Sequence, residues 1–348
     1  MENLLAHGYK GKLYPVNPKY NKVLGLKAFP SLEWIKGDID LAILILRAEL
    51  IPQLLRQCEQ KKVGSVLIIS AGFREEGSEK GIEREEWVKE WSERTGIPVC
   101  GPNCLGLQSQ AVDLCASAAS SIGHEPFPAG SVGLISHSGA TAFGPLLNRG
   151  KDTGVYFRYI LSTGNEAGCS MTEYADAMLE DTEITAVALF IEGIKDGTAF
   201  VRLAEKALSL GKPLVVMKIG ESEVGQRAAA SHTASMTGDQ DVFQALCRQK
   251  GIAHVKDYDQ LLYTLLSFNQ KKSLDGKRLV VISHSGGIGG FVSDRLGANG
   301  FEVPAFREET VRKTAAENPG FGSSQNPLDL SGTMQTERMP KIFAVLEL

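Results

Sequence analysis

Residues 227–239, RAAASHTASMTGD, are almost all small, with one imidazole, His232, set between Ser231 and Thr233 and one bulky apolar side chain, Met236. Such a stretch makes poor core. Small neighbours let an anion approach both backbone and ring, as a histidine that handles phosphate requires. The plainer reading is a Ser/Thr-rich loop leading into a helix over Asp239–Gln249. A second stretch has related chemistry. A strand at Val132–Ile135 runs into Ser136-His137-Ser138-Gly139-Ala140 and then a helix to about Arg149. Free backbone N–H groups and the positive end of the helix dipole make such a turn an anion site, with the Ser136 and Ser138 hydroxyls as further donors. A neutral imidazole is a nucleophile near neutral pH, and phosphoryl transfer needs positioning and electrostatic stabilisation more than acid–base work.

The elements that must position these residues alternate between strand and helix. Leu41–Leu46 is a continuous apolar run of the kind buried on both faces of a parallel sheet. Helical periodicity follows over Glu49–Lys61, then a strand at Val66–Ile69, a charged amphipathic helix over Ile82–Thr95 closed by Gly96, and a short strand at Pro98–Cys100. Lys12–Val16 is a strand candidate before them, and Met1–Tyr9 reads as the second half of a helix. This order predicts a doubly wound parallel sheet, which binds ligands at the carboxyl ends of its strands. Those ends here are Val16-Asn17-Pro18, Ser70-Ala71-Gly72-Phe73 and Gly101-Pro102-Asn103-Cys104. The usual opening strand and Gly-rich turn is expected either to precede Met1 or to be missing from the sheet.

Gln108–Gly130 is small and polar and reads as a linker. A second unit follows, with strands at Tyr156–Leu161, Ala186–Ile191, Leu214–Lys218 and Ile252–Val255, and helices over Met171–Leu179, Thr198–Leu210 and Tyr258–Phe268. Gln270–Gly276 reads as a second linker. The segment GLISHS (Gly133–Ser138) returns as LVVISHS (Leu279–Ser285), with His137 and His284 147 residues apart; a period that long marks a duplicated domain. The third unit has too few strands for a closed core and is expected to be cut short. Domains are therefore expected at 1–110, 130–268 and 277–348.

With 348 residues, two or three domains are required. A net charge of −4 gives no reason to expect nucleic acid or an anionic membrane as partner, and no apolar run reaches the roughly 18 residues of a membrane helix. The six cysteines show no metal-type spacing and read as reduced thiols of a cytoplasmic protein; no metal site is expected.

The motifs GPNCLG (Gly101–Gly106), SHSGA (Ser136–Ala140) and SHTASMTG (Ser231–Gly238), in this order, resemble the NDP-forming acyl-CoA synthetases of the succinyl-CoA synthetase superfamily. The resemblance covers essentially the whole chain and matches the α-subunit-like portion. It implies an α/β fold: a CoA-binding Rossmann-like domain, here without its first strand and Gly-rich loop, followed by flavodoxin-like ligase domains. It implies a reversible acid–CoA ligase, in which acyl-CoA, phosphate and ADP give a carboxylic acid, CoA and ATP through an acyl phosphate and a phosphohistidine.

Carried over residue by residue, His232 matches the phosphorylated histidine, and Glu192, at the end of the strand ALFIE, matches the glutamate that holds the ring by one nitrogen. Ser136, Ser138, Gly139 and Ala140 match the phosphate loop, and Gly164-Asn165-Glu166 the acyl or phosphate pocket. Val16, Asn17, Pro18, Ser70, Ala71, Gly72, Asn103 and Cys104 match the CoA site. CoA and phosphate are the implied ligands, with ADP/ATP and Mg2+ held only by ATP-grasp domains outside this chain. A small carboxylic acid substrate and an oligomeric assembly are implied too. Ala234 departs from the usual glycine, and His137 and His284 belong to the repeated turns. Two readings compete: a CoA- or acyl-CoA-sensing module of a protein acetyltransferase without turnover, and a flavodoxin-like nucleotide-binding protein unrelated to CoA.

Overall fold

The computed structural model describes residues 1–125, 127–222, 224–225, 239–268, 275–318, 322–330 and 339–346. The chain divides into two compact units, Met1–Lys271 and Lys272–Leu348. His232 and the rest of Ser231–Gly238 lie outside the described residues, as does most of the second expected linker.

In the first unit, β1 (Lys22–Val23) and β2 (Leu26–Lys27) form a small antiparallel pair, and Val16 bridges Phe29. The expected strand at Lys12–Val16 is thus reduced to that single bridge. A parallel sheet follows, ordered β3 (Leu41–Leu44), β4 (Ser65–Ile68), β5 (Val99–Cys100). The helices Ile51–Lys61 and Glu79–Thr95 connect its strands. Ser78 caps the second helix by accepting from Gly81 N at 3.0 Å, and Gly96, at φ +69°, ends it in the left-handed conformation that residues with a Cβ resist. Ile51, Leu55, Val66, Ile68, Val88 and Trp91 close the core between sheet and helices. Each such side chain contributes roughly 1.5–3 kcal/mol by leaving water.

A larger sheet holds seven strands: β6 (Gly106–Ser109), β7 (Leu114–Ser117), β8 (Val132–Ser136), β9 (Phe157–Ser162), β10 (Ala186–Ile191), β11 (Leu214–Lys218) and β12 (Ala253–Val255). Their spatial order is β12-β11-β10-β8-β9-β6-β7. The five strands from β12 to β9 are parallel, and all six residues of β10 are buried, as a two-faced apolar strand requires. Strands β6 and β7 add antiparallel at the edge, with Leu107 opposite Leu161. The expected linker over Gln108–Gly130 therefore supplies part of β6 and all of β7. Its small residues hid this: Cys115 and Ala116 are buried, Ala116 in one cluster with Leu4 of the helix Glu2–Ala6, whose Asn3 Nδ2 donates to Ser117 O at 2.9 Å and Ala119 O at 3.1 Å. The opening helix thus packs on the larger sheet.

The second unit pairs β13 (Ile282–Ser283) with β14 (Leu328–Asp329) in parallel, with helices Gly286–Ala298, Glu308–Glu317 and Met339–Leu346 and a small core of Leu328, Leu330 and Ile342. The repeated turn has one construction in both copies. Ser136 Oγ donates to Ser138 O at 2.6 Å, and Ser283 Oγ donates to Ser285 O at 3.0 Å. No helix among the described residues is long and apolar enough to cross a membrane.

Candidate functional site

The carboxyl ends of the parallel strands carry the site. At the end of β8, Ser136 is fully buried and its hydroxyl closes the turn on Ser138 O. Ser138 Oγ accepts from Thr141 N at 3.3 Å and so caps the helix that begins at Gly139. Gly139 is required by packing, because a Cβ there would stand 2.6 Å from Leu105 Cβ. Ala140 is exposed beside it. Ser136 uses its proton inside the turn, so Ser138 O–H and the backbone N–H groups are the donors this turn can offer an anion.

His137, between the two serines, has an 11 % exposed side chain. Its backbone N–H donates to Phe190 O, tying the turn to β10. Its Nδ1 accepts from Glu192 N at 3.0 Å, and its Nε2 lies 3.2 Å from Glu166 Oε1, a polar contact short of an aligned hydrogen bond. Glu192, the residue after β10, is only 5 % exposed, and its Oε2 is buried with no hydrogen-bond partner among the described residues. Buried carboxylate oxygens without partners cost stability and call for a reason.

Glu166 is built differently. Its backbone is left-handed, at φ +53°, and Oε1 accepts from Met171 N at 2.8 Å at the start of helix Met171–Glu180. Burial pushes its carboxyl up, but the His137 ring, the Lys195 ammonium and the Met171 N–H outweigh that and hold it below the usual carboxylate range. Lys195 Nζ donates to the carbonyls of Asn165 and Glu166.

The loops of the smaller sheet meet this edge through Asn165. Its backbone N–H donates to Pro102 O at 2.9 Å, and its Oδ1 accepts from Asn103 Nδ2 at 3.1 Å. Its Nδ2 donates to Glu75 Oε2 and, at 2.7 Å, to Glu85 Oε2. Glu75 Oε1 in turn accepts from Gly72 N at 2.7 Å, and Glu85 Oε1 from Arg74 Nε at 2.8 Å. One side-chain amide therefore joins Ser70-Ala71-Gly72, Gly101-Pro102-Asn103 and Gly164-Asn165-Glu166. Both Asn165 amide hydrogens face carboxylates and its backbone N–H is taken by Pro102 O, so in this arrangement Asn165 holds the loops together and its neighbours, rather than its own groups, are open to an anion.

Ser70 Oγ accepts from Leu46 N at 3.0 Å, Ser70 O accepts from Asn103 N at 2.9 Å, and Ala71 is exposed at the loop tip. Cys104 is 4 % exposed and its Sγ donates to Ile68 O at 3.3 Å. In the Val16-Asn17-Pro18 turn, Asn17 N bonds Phe29 O and its Oδ1 accepts from Lys19 N.

A cavity of about 1110 Å³ opens between helix Glu79–Thr95 and the loops after β9 and β10. Arg74, Lys89, His137, Glu166 and Lys195 border it. Glu75, Glu85 and Lys195 are the residues that sequence reasoning gave no role. Among the described residues, no group of three or more His, Cys, Asp or Glu side chains could hold a metal ion.

The chain that carries His232 leaves the sheet at this edge. Ile219 N, just past β11, donates to Ile191 O at 3.0 Å, next to Glu192. The far stem is the helix Gln240–Lys250, capped by Asp239.

Residues 1–110 match the family model described as a CoA binding domain, and residues 129–268 match that of a succinyl-CoA ligase like flavodoxin domain. The alpha subunit of acetate–CoA ligase (ADP-forming) II of Pyrococcus furiosus is 33% identical over 327 residues, covering 94% of this chain and 70% of that one. The chain belongs to the ADP-forming acetate–CoA ligase family. Another member, acetate–CoA ligase (ADP-forming) I of Archaeoglobus fulgidus, is 33% identical over 99% of this chain, which spans only 49% of it. This chain thus has about half the length of that relative. Among solved structures, the family's dinucleotide forming acetyl-coenzyme A synthetase 1 of Ca. Korarchaeum cryptofilum, in complex with phosphate and ADP, superposes with a TM-score of 0.87 at 28% identity. The match covers 99% of this chain and 73% of that one. The α/β architecture, a CoA-binding Rossmann-like part followed by a flavodoxin-like ligase part, is that of the family.

Proposed function

We propose that this chain is the α-type portion of an ADP-forming acyl-CoA synthetase, with His232 as its phosphoryl carrier. A phosphate oxygen attacks the thioester carbonyl of an acyl-CoA, and the CoA thiolate leaves and takes a proton. A ring nitrogen of His232 then attacks the phosphorus of the acyl phosphate, and the carboxylate of the acid leaves. The phosphoryl group passes to ADP on an ATP-grasp part outside residues 1–348, where Mg2+ would be held. In reverse the sequence makes acyl-CoA from acid, CoA and ATP.

In this reading the turn Ser136–Ala140 and Gly164 hold phosphate beside Asn165, which fixes the loop, and Val16–Pro18, Ser70–Gly72 and Asn103–Cys104 receive CoA. The working modules are 1–110, 130–268 and 277–348. Six free thiols fit a reducing cytoplasm.

The observation that carries the reading is Glu192. Its Oε2 is buried without a hydrogen-bond partner among the described residues, at the sheet edge where the His232 segment departs. A carboxylate there can accept the proton on one ring nitrogen of a histidine and leave the other for phosphorus. An acyl-CoA sensor would bear the cost of that buried carboxylate with no return in function. His137 does not compete as carrier, because its Nδ1 is engaged and its Nε2 faces Glu166. The test is reconstitution with the ATP-grasp partner of a family member: His232→Ala should abolish acyl-CoA formation with circular dichroism unchanged. Full activity in that variant would refute the mechanism.

A further inference from the structure

The imidazole of His137 sits between the two glutamates nearest the phosphate turn. Its Nδ1 takes the Glu192 N–H at 3.0 Å, and its Nε2 stands 3.2 Å from Glu166 Oε1. Because a donor already occupies the Nδ1 lone pair, the ring proton of the neutral imidazole belongs on Nε2, facing the carboxylate. We propose that His137 is a positioning residue of the phosphate pocket: one ring nitrogen fixes the backbone that aims Glu192, and the other keeps the Glu166 carboxylate folded back from the bound anion. This rests on the reading of this sheet edge as the phosphate pocket.

Each half of the proposal has its own physical basis. Glu166 borders the cavity, and its only other described donor is the Met171 N–H. Without the imidazole, the carboxylate would keep one hydrogen bond and the attraction of the Lys195 ammonium, and could swing into the space a phosphate needs, where like charges repel. Glu192 has the opposite problem. Its buried Oε2 has no hydrogen bond of its own, so the direction of the carboxylate depends on how firmly its backbone is held. The His137 ring supplies that hold, and His137 N–H to Phe190 O anchors the ring's own backbone to the strand that ends at Glu192.

Two amide replacements separate the two contacts. In His137→Asn, the side-chain oxygen can stand where Nδ1 was and keep the Glu192 N–H, while the reach to Glu166 is lost. In His137→Gln, the side-chain nitrogen can stand where Nε2 was and keep the donor to Glu166, while the Glu192 contact is lost. Binding of inorganic phosphate to the full chain, by calorimetry, and the rate of His232 phosphorylation by acetyl phosphate are the readouts. His137→Asn should weaken phosphate binding about tenfold with the phosphorylation rate at saturation retained, and His137→Gln should retain binding and slow phosphorylation about tenfold, each the loss of one polar contact.

A general structural role would move both quantities together in both variants, and that result would overturn the proposal. So would a 15N spectrum of the parent chain showing the His137 proton on Nδ1 at neutral pH. A parent chain that binds no phosphate refutes the functional reading itself. A parent that binds phosphate while both variants behave like it refutes only the role given to His137.

Discussion

Gly164 lies against the carbonyl oxygen of Pro102, in a left-handed backbone conformation at φ +58°. A Cβ at this position would overlap that oxygen and crowd Asn103 O at 2.5 Å. Here the loop after β9 and the loop after β5 touch backbone to backbone, and Asn165 N to Pro102 O at 2.9 Å holds them so. Gly164→Ala should therefore cost both a left-handed penalty and a clash, about 2–4 kcal/mol together. Gly154 is the control. It too is left-handed, at φ +81°, but nothing lies within 4 Å of its Cβ position, so Gly154→Ala should cost about 1 kcal/mol. Urea denaturation of the two variants checks the difference; equal losses would show that the loop contact is not tight.

Glu192→Gln should separate stability from function. The substitution removes a buried charge whose Oε2 has no partner, so unfolding free energy should stay level or rise by about 1 kcal/mol. Phosphorylation of His232 by acetyl phosphate should slow about 100-fold, because an amide cannot stabilise charge developing on the ring. A variant that is less stable yet phosphorylated normally would assign Glu192 to structure alone.

The sheet edge was legible only in part, for physical reasons. Ala186–Ile191, Leu214–Lys218 and Tyr258–Phe268 are continuous or strongly periodic apolar runs, and the structure gives those elements the same bounds. Strand β7 is built mostly of small residues packed beside a helix more than a hundred residues earlier, and no local pattern announces that. Glu75 and Glu85 read as members of a solvated charge run, yet both turn inward to one amide, Asn165, 90 and 80 residues away. Glu192 stands at an ordinary strand end; its missing partner shows only when the oxygen is seen buried.

Asp181 gives the chain a predictable acid sensitivity. Burial works to raise its pKa, but the Tyr159 hydroxyl, Arg158 Nε at 2.7 Å and Glu183 N at 2.9 Å outweigh burial and bring it to about 2, below its ordinary 3.8. A depressed carboxyl pKa adds stability that is fully present above the unfolded value and is lost as pH falls through the folded one. Asp181→Asn should thus be less stable than the parent by about 1 kcal/mol at neutral pH, allowing for solvent screening. That gap should close between pH 3.8 and about 2. Denaturation at several pH values tests this; a gap independent of pH would place the effect in packing.

The most direct test of the phosphoryl carrier uses the chain alone with acetyl phosphate. Mass spectrometry should find one phosphoryl group, labile to acid and stable to alkali, on His232, and none in His232→Ala. Phosphate on His137 or on a serine, or a parent chain that takes up none, would contradict the account.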